Sequence, residues 1–488
     1  MRQAFSSQQQ LDCRGVLGVQ LNLECRDEMI PVLAALQHVY SQPERRDAIL
    51  NLVAADVNPD SRDDVGREGL DYWQILVLAA VRLGCNLDYD KLQDLAEQHR
   101  NLRHMLGIGD WSEEIDFSWR RIRDNVCLLK PTTIEQISHL IVAAGHRLQP
   151  AAAKQTRADT FVVETNIHWP AESTLIRDGV RKIIGLCVRL ARLMNLPGWR
   201  QALHLLGKVK KHSRNIERIS SRKGPQYQER LQVEYRKLLK LSGKVTRRAS
   251  ELLQAATAHK ALANSASVDE LRVFLARTEQ VRGTARRRVL QGETVPNSEK
   301  LFSMFEPHTQ LYKRGKAGEP VQFGRLLLVF EDGAGFITHS HLLAREEQDR
   351  DVVVSQTRSV QDRLGGVIEE ASFDRGFHTP ENQRLLAEIV ARPCLPKPGA
   401  KQSAAQARAA TVAFRQARHR HSGVESAIGA LQSGNGLERC RDRSELGFER
   451  YVLLGILGRN LHVLGKLVLA REAASCEAAR SKRQTRAA

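Results

Sequence analysis

The chain has 488 residues, 42% hydrophobic and 27% charged, with 74 Lys and Arg against 56 Asp and Glu, a formal net charge of +18. That length suggests two to four structural units, and the basic excess favours a polyanionic partner, nucleic acid before an anionic membrane. The eight cysteines are scattered without a CxxC pair, which excludes a zinc pattern and a secreted disulfide framework and reads as reduced packing thiols in a cytosolic protein.

The first residues hold no apolar run, so no signal peptide is expected. Residues 29–39 and 45–53 read as short helices. An amphipathic helix follows over 72–83, with Ile75, Leu76, Leu78, Ala79 and Leu83 on its apolar side and Gly84 as its C-cap. Further helices are expected over 87–98, 102–106 and 117–129. Pro131 should end the last of these, and Thr132-Thr-Ile-Glu135 should cap the next, to about 148. Residues 1–150 thus read as a helical N-terminal domain, either a helix-turn-helix DNA-binding unit or an ordinary bundle.

After a linker at 149–154, Thr160, Phe161, Val162, Val163 and Thr165 are strand formers, with Asp159 at the beginning of the strand and Pro170 at its end. A helix over 175–196 follows. Residues 198–297 read as a basic helical insertion, typified by Lys208, Lys210 and Lys211: a solvated helix pair, or a surface that tracks phosphates. Two strands, 323–330 and 335–339, flank the hairpin turn Asp332-Gly333. A helix over 355–364 precedes a strand over 367–373 that delivers Asp374 to its tip. Gly376 breaks that strand, and Thr379-Pro380 opens a helix as N-cap and first helical residue. Residues 392–405, with Pro393, Pro396 and Pro398, read as a loop, 411–431 as a helix, and 446–470 as a final helix. Within that last run Arg459, Asn460, His462 and Lys466 argue against a membrane span. Residues 471–488 read as a basic disordered tail.

Three carboxylates from distant segments stand out: Asp159, Asp374 and Glu425. Glu425 lies at the edge of the buried face made by Val424, Ala427, Ile428 and Leu431, after the positive cluster Arg418-His-Arg-His421. Clustered carboxylates repel unless a cation neutralises them, and Mg²⁺ takes oxygen ligands. Two such ions can activate a water or a 3′-hydroxyl against a phosphodiester. An acidic cluster in a basic protein therefore points to phosphoryl transfer on nucleic acid. Glu164 competes with Asp159, and Glu438 and Glu445 compete with Glu425. His168, His378 and His421 read as structural or phosphate-facing.

Five segments carry a resemblance. They are Asp159-Thr-Phe-Val-Val-Glu-Thr-Asn-Ile-His-Trp-Pro170, Lys300-Leu-Phe-Ser-Met-Phe-Glu-Pro-His-Thr309 with Lys313-Arg-Gly-Lys316, Phe373-Asp-Arg-Gly-Phe-His378, Gly423-Val-Glu-Ser-Ala-Ile428 through Asn460-Leu461, and Asn86-Leu-Asp-Tyr-Asp-Lys-Leu92. Over about 70–470 the chain resembles a bacterial insertion-sequence DDE transposase of the ISNCY-like group. It departs from that group at Pro170-Ala-Glu-Ser173, where Pro-Thr-Asp-Ser is usual. The resemblance implies an α/β fold: an RNase H-like mixed-sheet catalytic core in two parts, 151–197 and 298–470, interrupted by the insertion. It implies Asp159, Asp374 and Glu425 as the metal-binding triad, Mg²⁺ as cofactor with Mn²⁺ able to substitute, and double-stranded DNA as partner, both element ends and target. Arg418, Arg420, His421, Lys208, Lys210 and Lys211 are the expected DNA contacts. It further implies DNA transposition, that is, strand cleavage and strand transfer in DNA recombination of a mobile element, by a homodimer or higher assembly on DNA in the bacterial cytoplasm near the nucleoid, without a membrane. Two alternatives stay open: an RNase H-like nuclease without strand transfer, and a catalytically silent DNA-binding remnant.

Overall fold

The structure is a computed structural model that describes residues 3–5, 12–22, 25–58, 69–111, 117–259, 264–313, 321–397 and 411–487. The expected motif at 313–316 and the end of the expected 392–405 loop lie largely outside the described residues. The fold is mixed α/β, mostly helical, with one sheet of parallel and antiparallel strands. The chain divides into two compact units, residues 1–164 with 325–488, and residues 165–324.

Among the described residues of the first unit, seven α-helices precede the sheet: α1 (Met29–Tyr40), α2 (Pro43–Val57), α3 (Tyr72–Gly84), α4 (Tyr89–Gln98), α5 (Arg100–Met105), α6 (Trp119–Val126) and α7 (Pro131–Leu148). Asp71 and Asp88 cap α3 and α4 by accepting the N–H groups of Gln74 and Lys91. Gly84 is not the cap of α3 but its last helical residue; a Cβ there would stand 2.9 Å from Val32 Cγ2. Its small size serves close helix packing instead. Pro131 opens α7 at a first-turn position rather than ending α6, because an N–H missing there costs nothing; Thr132 and Thr133 lie inside the helix.

A 3-10 turn, Pro150–Lys154, then leads into β1 (Gln155–Thr165). β1 begins earlier than expected and ends before Pro170, so Asp159 is its fifth residue, not its first. The alternating exposure of Gln155 to Asp159 explains the extension. β3 (Val321–Asp332) and β4 (Ile337–Leu342) are an antiparallel hairpin. Asp332 makes its turn: one carboxylate oxygen accepts the N–H groups of Ala334, Gly335 and Phe336, each at 2.9 Å. α12 (Asp349–Arg363) follows, then β5 (Glu370–Phe373), α13 (Pro380–Ile389) and β6 (Arg392–Cys394). β5 is shorter than expected because the Gln361 side chain takes the backbone groups ahead of it, accepting the Ile368 N–H at 2.9 Å and donating to the Ile368 carbonyl at 3.0 Å. β6 lies where a loop was expected; it sits at the end of the strand order, where Pro393 removes no interior ladder bond. Within this unit the strands run β4-β3-β1-β5-β6, with β1 parallel to β5 and β5 parallel to β6.

The single helix expected over 411–431 is two, α14 (Val412–His421) and α15 (Gly423–Gly429), followed by a π turn and a short β7 (Arg439–Cys440) paired with β1. The final helix α16 (Glu445–Ala487) continues through the expected disordered tail. It packs on α1, α3 and α7, so the N-terminal helices share one hydrophobic core with the C-terminal helix and with Phe161, Val163, Leu327 and Val329 of the sheet. By length and composition the stretch 445–475 could cross a membrane, yet 61% of its apolar window is buried inside the protein. Buried Asn460 gives it a specific seat: its amide oxygen accepts Ile337 N–H at 2.8 Å and its nitrogen donates to Ile337 O at 2.9 Å.

The second unit is built on α8 (Glu172–Leu193), α9 (Ala202–Arg222), α10 (Tyr227–Ala258) and α11 (Ala266–Ala285). The basic segment is therefore three helices packed with α8 around a core of Ile183, Ile216, Leu238 and Leu271, rather than a helix pair. β2 (Gln310–Lys313) pairs antiparallel with the first residues of β3, Val321 to Gly324. The described cysteines include no disulfide.

Candidate active site

Asp159 and Asp374 reach one place through strand register. Arg157 pairs with Ser372, and Ala158 with Phe373, on parallel neighbours. One further step sets Asp159 against Asp374, which leaves β5 as the N-cap of the 3-10 turn Arg375–Phe377. Alternation places Arg157 and Asp159 on one face of β1, and Ser372 and Asp374 on the same face of the sheet. Asp159 is half-buried, and its carboxylate accepts the Thr160 N–H at 2.7 Å. Asp374 is exposed at the C-terminal edge of the parallel strands, where open α/β sheets place ligands. Thr379 and Pro380 open α13 as expected, with Thr379 Oγ1 accepting the Asn382 N–H at 2.9 Å.

Glu425 comes from the same face. Arg157 spans to the junction of α14 and α15: its Nη1 donates to Arg420 O at 2.9 Å and its Nε to Glu331 Oε2 at 2.5 Å. The turn between the two helices falls at Ser422, and a Cβ on Gly423, the first residue of α15, would lie 2.2 Å from Arg157 Nη1. That turn starts α15 afresh and puts Glu425, exposed, in its first turn. Its buried side is Val424, Ala427 and Leu431, with Ile428 half-buried.

His421 joins the parts. Its Nδ1 lies 3.2 Å from Ser372 Oγ. Burial lowers its pKa most, while Asp374 and Glu425 both act to raise it and Arg157 to lower it. One imidazole thus lies in the field of both acids. Arg420 is anchored to Glu370 at 2.5 Å, whereas Arg418 is exposed and makes no ion pair among the described residues. Lys208, Lys210 and Lys211 are exposed on α9 of the other unit.

Two of the three competing acids are occupied. Glu164 pairs with Arg439 at 2.8 Å, and Glu445 with Arg325 at 3.5 Å; Glu438 is exposed, and its carbonyl accepts Glu164 N–H. In the second unit His168 binds Asp178 at 2.7 Å, and Glu172 of the departed motif pairs with Arg288. His378 is half-buried beside the Asp374 turn.

One acid escaped the sequence reading. Asp349 is the first residue of α12; it accepts a hydrogen bond from Thr160 Oγ1 at 3.2 Å and lies 3.9 Å from where a Cβ on Gly376 would stand. It therefore bonds the residue after Asp159 and faces the turn that follows Asp374. Its signal was the capping pattern Gln348-Asp-Arg-Asp351, which opens α12 six residues before the expected 355.

The donors are carboxylate oxygens, which suit a hard divalent cation. Among the described residues no group of three His, Cys, Asp or Glu side chains stands close enough to hold a metal ion. The donor chemistry fits, and the separations do not form a closed ligand set.

The described helices also bear on the helix-turn-helix expectation. α1 and α3 are buried almost all round, so neither offers a face to a DNA groove. No family model, curated protein or solved structure matches this chain.

Proposed function

We propose that the protein is a DDE-type DNA transposase that cuts and joins DNA strands at the Asp159–Asp374–Glu425 edge of an RNase H-like core. The observation that carries this reading is that parallel register sets Asp159 beside Asp374, while the approach of Gly423 to Arg157 starts the helix of Glu425 against the same strand. The strand order β4-β3-β1-β5-β6, with an antiparallel hairpin on one side and parallel strands on the other, supports the RNase H-like part. The net charge of +18 supports a polyanionic substrate around a locally acidic site.

In this reading Asp159, Asp374 and Glu425 would hold Mg²⁺ or Mn²⁺, which supplies Lewis-acid activation of the attacking hydroxyl and stabilises the leaving oxygen. The chain's own residues do the rest. Arg157, fixed by Glu331, sets the start of α15 and so the aim of Glu425. Asp349 holds Thr160 and with it the β1 segment beside Asp159. Exposed Arg418, in the last turn of α14, would serve as a phosphate contact.

The test uses purified protein, Mg²⁺ or Mn²⁺, and labelled duplex carrying the DNA ends that flank its gene. The expected result is a 3′-hydroxyl cut at the ends and a joined strand-transfer product. Cutting without joining favours the nuclease alternative, and binding without either step favours the silent remnant.

A further inference from the structure

α9 carries a cationic stripe that the acidic edge does not use. Val209, Ser213 and Ile216 are its buried positions. At 100° per residue the opposite face carries Lys211, Arg214, Arg218 and Arg222, all exposed. None of these four makes an ion pair among the described residues. Of the acids nearby, Glu217 is engaged with Arg177 at 3.5 Å, and Glu234 with His212 at 2.9 Å and Lys237 at 2.7 Å, while Glu229 lines the same cleft as Arg218 and Arg222 without an ion pair among the described residues. The four cations are spaced three, four and four residues apart, which spreads them over roughly 16 Å at about 1.5 Å per residue. A duplex strand presents a phosphate about every 3.4 Å along its axis, so the stripe matches about five consecutive phosphates.

We infer that this face of α9 binds the sugar-phosphate backbone of duplex DNA without reading its sequence. Residues 207–222 contain no Phe, Tyr or Trp, and the cleft beside Arg218 and Arg222 is lined by one half-buried ring, Tyr227. Single-strand binders stack successive bases on several aromatic platforms, so this surface suits a duplex better. Lys and Arg contacts to phosphate oxygens fix position on a duplex without carrying sequence information. The inference rests on the proposed DNA substrate, but not on the chemistry done to it.

The experiment measures binding of the full-length protein to a 30-base-pair duplex of scrambled sequence between 50 and 200 mM salt. The variants are Arg214→Gln/Arg218→Gln/Arg222→Gln and a control that removes equal charge elsewhere, Arg272→Gln/Arg384→Gln/Arg443→Gln, both checked for an unchanged melting temperature. Each lost phosphate contact lowers the salt slope by about 0.9, so the stripe variant loses roughly 2.7 in slope and on the order of 100-fold in affinity at 0.1 M salt. The control loses less than about 0.9. Equal losses in both variants, or an unchanged slope in the stripe variant, overturn the inference. So does equal, stripe-dependent binding to polyglutamate, which would mark an acidic-protein surface. An unchanged slope with end cleavage intact removes the stripe and leaves the transposase; a stripe-dependent slope with no cleavage does the reverse.

Discussion

At the scale of single residues, the site depends on one close approach. Gly423→Ala would put a methyl 2.2 Å from Arg157 Nη1. Arg157 must then move off Glu331, or α15 must shift. Overpacking of this kind typically costs about 1–3 kcal/mol, and the displaced Glu425 should lower cleavage more than the melting temperature alone accounts for. A variant with full cleavage would show that this junction does not aim Glu425. Asp349→Ala removes the acceptor of the Thr160 hydrogen bond. Residues that orient ligands from behind typically account for roughly 10- to 100-fold in activity, so cleavage should fall in that range while DNA binding holds. Away from the site, buried Arg82 reaches Asp442 at 2.5 Å and stacks on the Tyr89 ring. Arg82→Met strands the Asp442 carboxylate and should cost about 3–5 kcal/mol in urea unfolding; a loss below about 1 kcal/mol would put the pair among ordinary surface bridges.

At the scale of elements, α16 owes its position to glycines. A Cβ at Gly465 would lie 1.8 Å from Pro31 O, and one at Gly458 would lie 2.6 Å from Gly84 N. Gly465→Ala should therefore separate α1 from α16 and lower the melting temperature, whereas Gly185→Ala, which meets nothing within 4 Å, should raise it slightly. The reverse order would contradict the crossing. Three histidines on elements of this layer, His139 of α7, His339 of β4 and His462 of α16, are held near pKa 4, in each case by burial first. Their folded pKa lies below the unfolded value of 6.5, so the unfolded chain takes up protons first as pH falls. Their influence is absent above about pH 6.5, and stability drains away as pH drops towards 4. Urea midpoints taken across that window should fall; a flat profile would mean these rings are hydrated.

The same scale shows what periodicity could and could not reveal. α3, the Asp332 turn and the Thr379-Pro380 helix start were legible, because local chemistry alone dictates them. The turn at Ser422 was not, because the group packed against it, Arg157, is more than two hundred residues away in the chain. β6 was masked by Pro393, which sequence reading treats as a breaker but an edge strand tolerates. Asp349 was missed because the expected helix began at 355, which left that acid in coil.

At the scale of the whole molecule, the proposed DNA-binding stripe and the proposed catalytic acids lie in different units. The unit of residues 165–324 offers exposed Lys and Arg on α9, and the other unit offers the acidic strand edge. Neither assignment was available from composition, which shows a single net charge of +18. The second-unit core of α8 to α11 is separate in its contacts from the core around α16, so damage to the stripe should leave the strand edge intact. The most direct test of the account compares Asp159→Asn, Asp374→Asn and Glu425→Gln with the unaltered protein, measuring Mn²⁺-dependent cleavage and duplex binding side by side. The account predicts that each substitution removes cleavage while binding persists. Cleavage that survives in Asp374→Asn would contradict it.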